Sequence, residues 1–163
     1  EHPNDEFAYA EIIGLSHLKR VKRYIRSDYI TNNTNFKNWK VFVPKANGSG
    51  TLGEVLSTPL IGKPFVGNTQ TFISIGKFNT KYEAQALMKY IKTKFSRVML
   101  GILKITQDNT RTRWRLVPMQ DFTSNSDIDW DKSIHKIDQQ LYKKYDLSQD
   151  EINFIETKVQ AMD

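Results

Sequence analysis

Gly48, Gly50 and Gly53 satisfy the spacing G-x-G-x-x-G at the end of an apolar run. In that pattern a strand turns into a helix and presents backbone N–H groups to a dinucleotide pyrophosphate. The chemistry requires a helix that starts among the glycines. Here only residues 54–58 intervene before Pro59, and Pro44 already interrupts the incoming strand, so a crossover helix has no room. Gly67 to Thr71 lacks the Gly-Lys-Ser/Thr ending of a phosphate-binding loop, and Gly62-Lys63 runs into Pro64. His2, His17 and His135 have no metal-ligand spacing and no cysteine to assist them. Asp127, Asp129 and Asp131 imitate the start of a calcium loop, but Lys132 stands at the turn position that needs glycine and Asp138 at the position of the bidentate Glu. Glu156-Thr157-Lys158 matches the E-x-K of nucleases without a second acid at strand spacing. No nucleophile, base and orienter stand in a recognisable pattern. The residues direct attention from reaction to recognition.

Charge supports that shift. The chain has 163 residues, a formal charge of +6, 39% hydrophobic residues and no cysteine. That is enough apolar material for one core, and the missing cysteines agree with a reducing, cytoplasmic setting. No apolar run approaches a membrane span, and the acidic start is unlike a signal peptide. The absence of an initiator Met suggests a piece of a longer polypeptide or a processed product. Residues 14–120 carry 19 basic and 4 acidic side chains, whereas residues 121–163 carry 5 basic and 10 acidic ones. Such a basic block attracts polyanions; alternatively, the two oppositely charged parts attract one another. Residues 1–122 are expected to form a basic core, with 123–163 an acidic connector and helical hairpin of the same domain.

The elements that must position these residues emerge from periodicity. Leu18, Val21 and Ile25 fall on one stripe behind Ser16, which predicts a short helix over 16–27 with Lys19, Lys22, Arg23 and Arg26 close together. That cluster is either a solvated face or a surface for an anionic partner. Trp39 to Val43 and Thr71 to Ile75 read as strands, with Gly76 marking a bulge or close approach. Thr80 and Glu83 form a capping box, and Ala84, Leu87, Met88, Ile91, Phe95, Val98 and Ile102 predict one long helix through about residue 103. Arg113 to Val117 alternates like a strand with one basic face. Helices are predicted over 134–145 and 149–162, the second capped by Ser148 and Glu151. The expected fold is α+β: a small mixed sheet packed by a long helix, with a C-terminal helical hairpin.

Six segments carry a resemblance: "WKVFVPKANG" at 39–48, "GNTQTF" at 67–72, "KTKFSR" at 92–97, "KITQ" at 104–107, "VPMQDF" at 117–122 and "DQQLYKKY" at 138–145. In this order they resemble the C-terminal part of bacterial type II restriction-modification proteins, in which an adenine-specific DNA methylase domain precedes a target-recognition region. The resemblance covers most of the chain from about residue 20 and contains no catalytic signature. It implies a domain that holds double-stranded DNA beside the parent chain's methylase domain, with S-adenosylmethionine as that parent's methyl donor. The methylase motif of Asp, Asn or Ser followed by Pro-Pro and an aromatic residue is missing, since the chain has no Pro-Pro. This chain is therefore expected to be catalytically silent and to hold no cofactor or metal.

On this reading Lys19, Arg20, Lys22, Arg23, Arg26, Lys45, Lys92, Lys94, Arg97 and Lys104 are phosphate-contact candidates. Asn47, Gln70 and Gln107 suit paired contacts with adenine, and Arg111 and Arg113 with guanine. Ser49, Thr51 and Thr106 complete the base-reading candidates, the first two in a glycine loop whose missing side chains let backbone approach a groove. That loop reads equally well as a plain hairpin. Two other functions stay open: a metal-dependent nuclease whose acids meet only in the folded chain, and a scaffold that docks an acidic protein.

Overall fold

A computed structural model of the chain describes residues 3–17, 19–30, 34–45, 52, 55–102, 111–115 and 117–162. Its strands are β1 (Tyr9–Ser16), β2 (Lys19–Arg26), β3 (Trp39–Pro44), β4 (Leu60–Gly62), β5 (Val66–Asn68) and β6 (Phe72–Phe78). They form two three-stranded sheets, ordered β2-β1-β5 and β4-β3-β6. The first is mixed, with β2 antiparallel and β5 parallel to β1; the second is antiparallel throughout.

The basic segment predicted as a helix is instead β2. Val21 and Ile25 are four residues apart, a spacing that also returns to the same face of a strand, and β1 supplies an unbroken ladder from Tyr9↔Arg26 to Ser16↔Lys19. Strand geometry divides the supposed stripe. Lys19 and Arg23 share a face with Val21 and Ile25, whereas Arg20, Lys22 and Arg26 take the other.

β3 is buried on both sides because it is the middle layer. Phe42 meets Ile13 of β1 and Phe72 of β6 between the sheets, and Val41 and Val43 meet Ala84, Leu87, Ile91 and Phe95 of the helical layer. Gly76 ends the regular part of β6 with φ of 90°, and a Cβ there would come within 2.2 Å of the Phe78 ring. The close approach predicted at this glycine is present, and the β3–β6 register shifts beside it, between Trp39 and Val41.

The helices are α1 (Lys81–Lys92), α2 (Lys94–Ile102), α3 (Arg111–Trp114), α4 (Ile134–Lys144) and α5 (Gln149–Lys158). The Thr80–Glu83 capping box forms as expected. The single long helix does not, because the chain breaks at Thr93. Thr93 adopts an extended ψ of 150°, and its Oγ1 accepts from Ser96 N at 3.1 Å. The Asp138 carboxylate, from α4, accepts from Lys94 N at 3.0 Å and from Phe95 N at 2.9 Å. A remote side chain thus caps a new helix start. Of the stretch 113–117, predicted as a strand, residues 113 and 114 instead finish the short α3, and Val117 N donates to Trp114 O in a turn.

The C-terminal hairpin is present, with Ser133 and Ser148 as N-caps. It is no separate unit: Ile137, Leu141, Tyr142, Ile155 and Val159 join the core built by α1, α2 and β3. Tyr90, Phe122 and Trp130 pack as tilted and edge-on rings, and the Trp130 indole donates to Asp121 O at 2.8 Å.

Candidate nucleic-acid interface

One end of the molecule gathers side chains from three separated segments. The β1–β2 hairpin turns at His17, which has φ of 48°, and carries Lys19 and Arg20 just beyond. Thr69 N donates to Ile13 O at 2.9 Å, and Thr69 also abuts Gly14, so the β5–β6 turn with Gln70 lies against the hairpin. Lys45, at the end of β3, donates its N–H to Thr71 O at 3.0 Å. The Arg20 guanidinium donates to Thr58 O, two residues before β4, which pairs with β3. Lys19, Arg20, Lys45 and Gln70 therefore converge, although they span half a hundred positions of the chain.

All four side chains are exposed, and the described stretches that flank Lys19, Arg20 and Gln70 carry no opposing charge. Neither residues 12–27 nor residues 55–82 contain Asp or Glu. Lys19, Lys45 and Gln70 have no side-chain hydrogen bond or ion pair among the described residues. Arg20 gives up one donor to Thr58 and keeps the rest of its fork for an anion.

From this end a groove of about 530 Å³ runs along β6. Gln70, Asn35, Ser74, Arg115 and Met119 are among its lining residues. Asn35 Nδ2 is fixed on Ser74 Oγ and Gly76 O, both at 2.8 Å, and Asn68 Nδ2 closes the β5–β6 turn on Thr69 O and Phe72 O, both at 2.9 Å. These amides shape the walls. Gln70 and Arg115 remain exposed and unpaired among the described residues, so they are the donors a ligand in the groove would meet.

The other phosphate-contact candidates part ways. Lys22 pairs with Glu11 at 3.0 Å, and Arg23 stays exposed with one weak bond to Lys22 O. Arg26, at the far end of β2, is doubly bonded to Asp28 and stacks on Phe7 with its guanidinium carbon 3.8 Å from the ring centroid. The Asp28 hydrogen bond raises the Arg26 pKa. In the helical layer the expectation fails. Arg97 is buried, donating to Lys92 O, Thr93 O and Gln160 O. Lys94 binds Glu156 Oε2 at 2.6 Å with most of its side chain covered. Lys92 is half-buried at the end of α1. The "KTKFSR" run is helix-break chemistry, because the Arg and the first-turn Lys tie α2 to the C-terminal segment.

Lys40 is also internal. Its ammonium donates to Asn35 O at 3.2 Å and Phe36 O at 2.9 Å, and burial lowers its pKa to about 8.

Asn47, Ser49, Thr51, Lys104, Thr106 and Gln107 lie outside the described residues. Arg111 and Arg113 are placed as backbone of α3, and their side chains are outside the description. Sequence reasoning missed Arg115, Asn35, Trp114 and Met119. Arg115 had a signal, as a member of the basic alternation at 113–117; the rest owe their place to tertiary packing.

Among the described residues no three His, Asp or Glu side chains cluster as a metal site, and no helix is long and apolar enough to cross a membrane. No family model, no curated protein and no solved structure matches the chain.

Proposed function

We propose that this chain is a DNA target-recognition domain of a restriction-modification adenine-specific methyltransferase, holding duplex DNA for a methylase domain that binds S-adenosylmethionine. The observation that carries the reading is the convergence of Lys19, Arg20, Lys45 and Gln70 from three segments at one end, where no acid neighbours them among the described residues of 12–27 and 55–82, continuous with a groove that presents Arg115. Unpaired cations at the end of a groove neutralise phosphates and set register, while amide and guanidinium groups inside it hydrogen-bond base edges. The resemblance of the six sequence segments supplies the class of parent protein.

The test is duplex binding across a range of salt concentrations. The reading expects an affinity that falls linearly on a log–log plot, with a slope reduced by about one unit in Lys45→Gln and in Arg20→Gln. An isolated chain that binds no duplex at low salt, or slopes unchanged in both variants, overturns it. Robust capture of an acidic protein without DNA affinity would favour the scaffold reading instead.

A further inference from the structure

One polar atom inside the groove wall is unaccounted for. Trp114 Nε1 is buried and has no hydrogen-bond partner among the described residues. Leaving an indole N–H without an acceptor is costly, and buried donors are rarely orphaned. Trp114 stands between two hollows. On one side is the polar groove along β6; on the other is an apolar cavity of about 180 Å³, bounded by Ile75, Tyr90, Val117 and Phe122. Met119 borders both and is 84% exposed, so its unbranched side chain moves without disturbing the core.

Trp114 lines both hollows, and an unpartnered indole N–H on a residue that borders an apolar cavity asks for an acceptor placed beside an apolar group. In the major groove of DNA only thymine presents that pair, an O4 acceptor next to a 5-methyl. We infer that Trp114 and the cavity behind it form a thymine-reading pocket, in which the methyl enters the apolar space as Met119 swings aside and O4 accepts from Trp114 Nε1. This rests on the DNA-recognition reading, and it adds the identity of a base. The same wall disfavours cytosine, whose N4 amino group would set donor against donor.

The full chain is first used to select its preferred duplex from a random pool at low salt. Each thymine of that duplex is then replaced singly by uracil, which lacks the methyl, or its pair by 5-methylcytosine with guanine, which keeps the methyl and replaces the acceptor with a donor. At one position uracil is expected to weaken binding about fourfold, the value of burying one methyl group. At that position 5-methylcytosine is expected to cost about tenfold, and Trp114→Phe should reduce that second penalty while keeping the first. Met119→Ser, at an exposed position that does not threaten folding, should shrink the uracil effect. Tight, salt-dependent duplex binding with no position sensitive to uracil would overturn the pocket and leave the DNA reading standing. An unchanged 5-methylcytosine penalty in Trp114→Phe would also overturn it, and a chain that binds no duplex removes both.

Discussion

Two regions of this molecule draw on the same excess of Lys and Arg and put it to opposite uses. Around the break at Thr93, Arg97 is surrounded by backbone carbonyls and Lys94 is held by Glu156. At the joint end of β2, β3 and the β5–β6 turn, Lys19, Lys45 and Arg20 are exposed and form no ion pair among the described residues. The first set ties a helical layer together and the second stays without an ion-pair partner among the described residues. Net charge along a sequence is therefore not surface charge, and a dense basic run is as readily a structural knot as a binding patch.

The comparison breaks most visibly at Arg97. Arg97→Ala strands carbonyls of Lys92, Thr93 and Gln160 in the interior and is expected to cost about 3–4 kcal/mol of stability. Arg20→Ala, losing one bond at the surface, should cost under about 1 kcal/mol. Urea midpoints of the two variants measure the contrast, and equal losses would dissolve it.

Acidity offers the second test. Burial raises the Asp138 carboxyl to about 6, against the two N–H donors of Phe95 and Lys94 and with Glu156 and Arg97 nearby. The folded state then holds its proton up to about pH 6, whereas the unfolded chain releases it near 3.8. Protonation favours folding, so this contribution is full below the lower value and is lost as pH rises through the upper one. It amounts to about 2–3 kcal/mol. The stability difference between the wild-type chain and Asp138→Asn should shift by that much between pH 3.5 and 7.5; a flat difference would show that the shift is absent.

Smaller effects sharpen the surface side. Gln70→Ala is expected to lose about 1–2 kcal/mol of discrimination at one base pair while binding to unrelated duplexes holds. Lys45→Gln should lower all duplex affinities alike and leave the urea midpoint in place, whereas Lys94→Gln should do the reverse. Lys22→Ala, which dissolves an exposed pair with Glu11, should change stability by less than about 1 kcal/mol.

The sequence announced those features whose causes are local. Both capping boxes, the strands at β3 and β6, the close approach at Gly76 and the final helix pair arise from residues within a turn or two of one another. The hidden features are non-local. β2 reads as a helix because Val21 and Ile25 suit either period, and the hairpin before it turns at a histidine where no glycine or asparagine signals a reversal. Thr93 breaks a strong helical pattern because Asp138, far along the chain, caps the first turn of α2. The candidate site shows the same division. Gln70, Lys45 and Arg20 were identified by residue type, yet nothing in their spacing brings them together; that depends on Thr69 meeting β1 and Thr58 meeting Arg20.

The last stretch of coil acts as a clasp. The Gln160 carbonyl accepts from Arg97, and the Met162 sulfur receives the Leu56 N–H at 3.4 Å, so the chain's tail is latched both to the helix break and to the stretch leading into β4. A shortened version ending at residue 122 would release both latches at once and expose the apolar backs of α1 and α2. Severing the acidic part in order to bare the basic part would thus dismantle the surface it was meant to reveal.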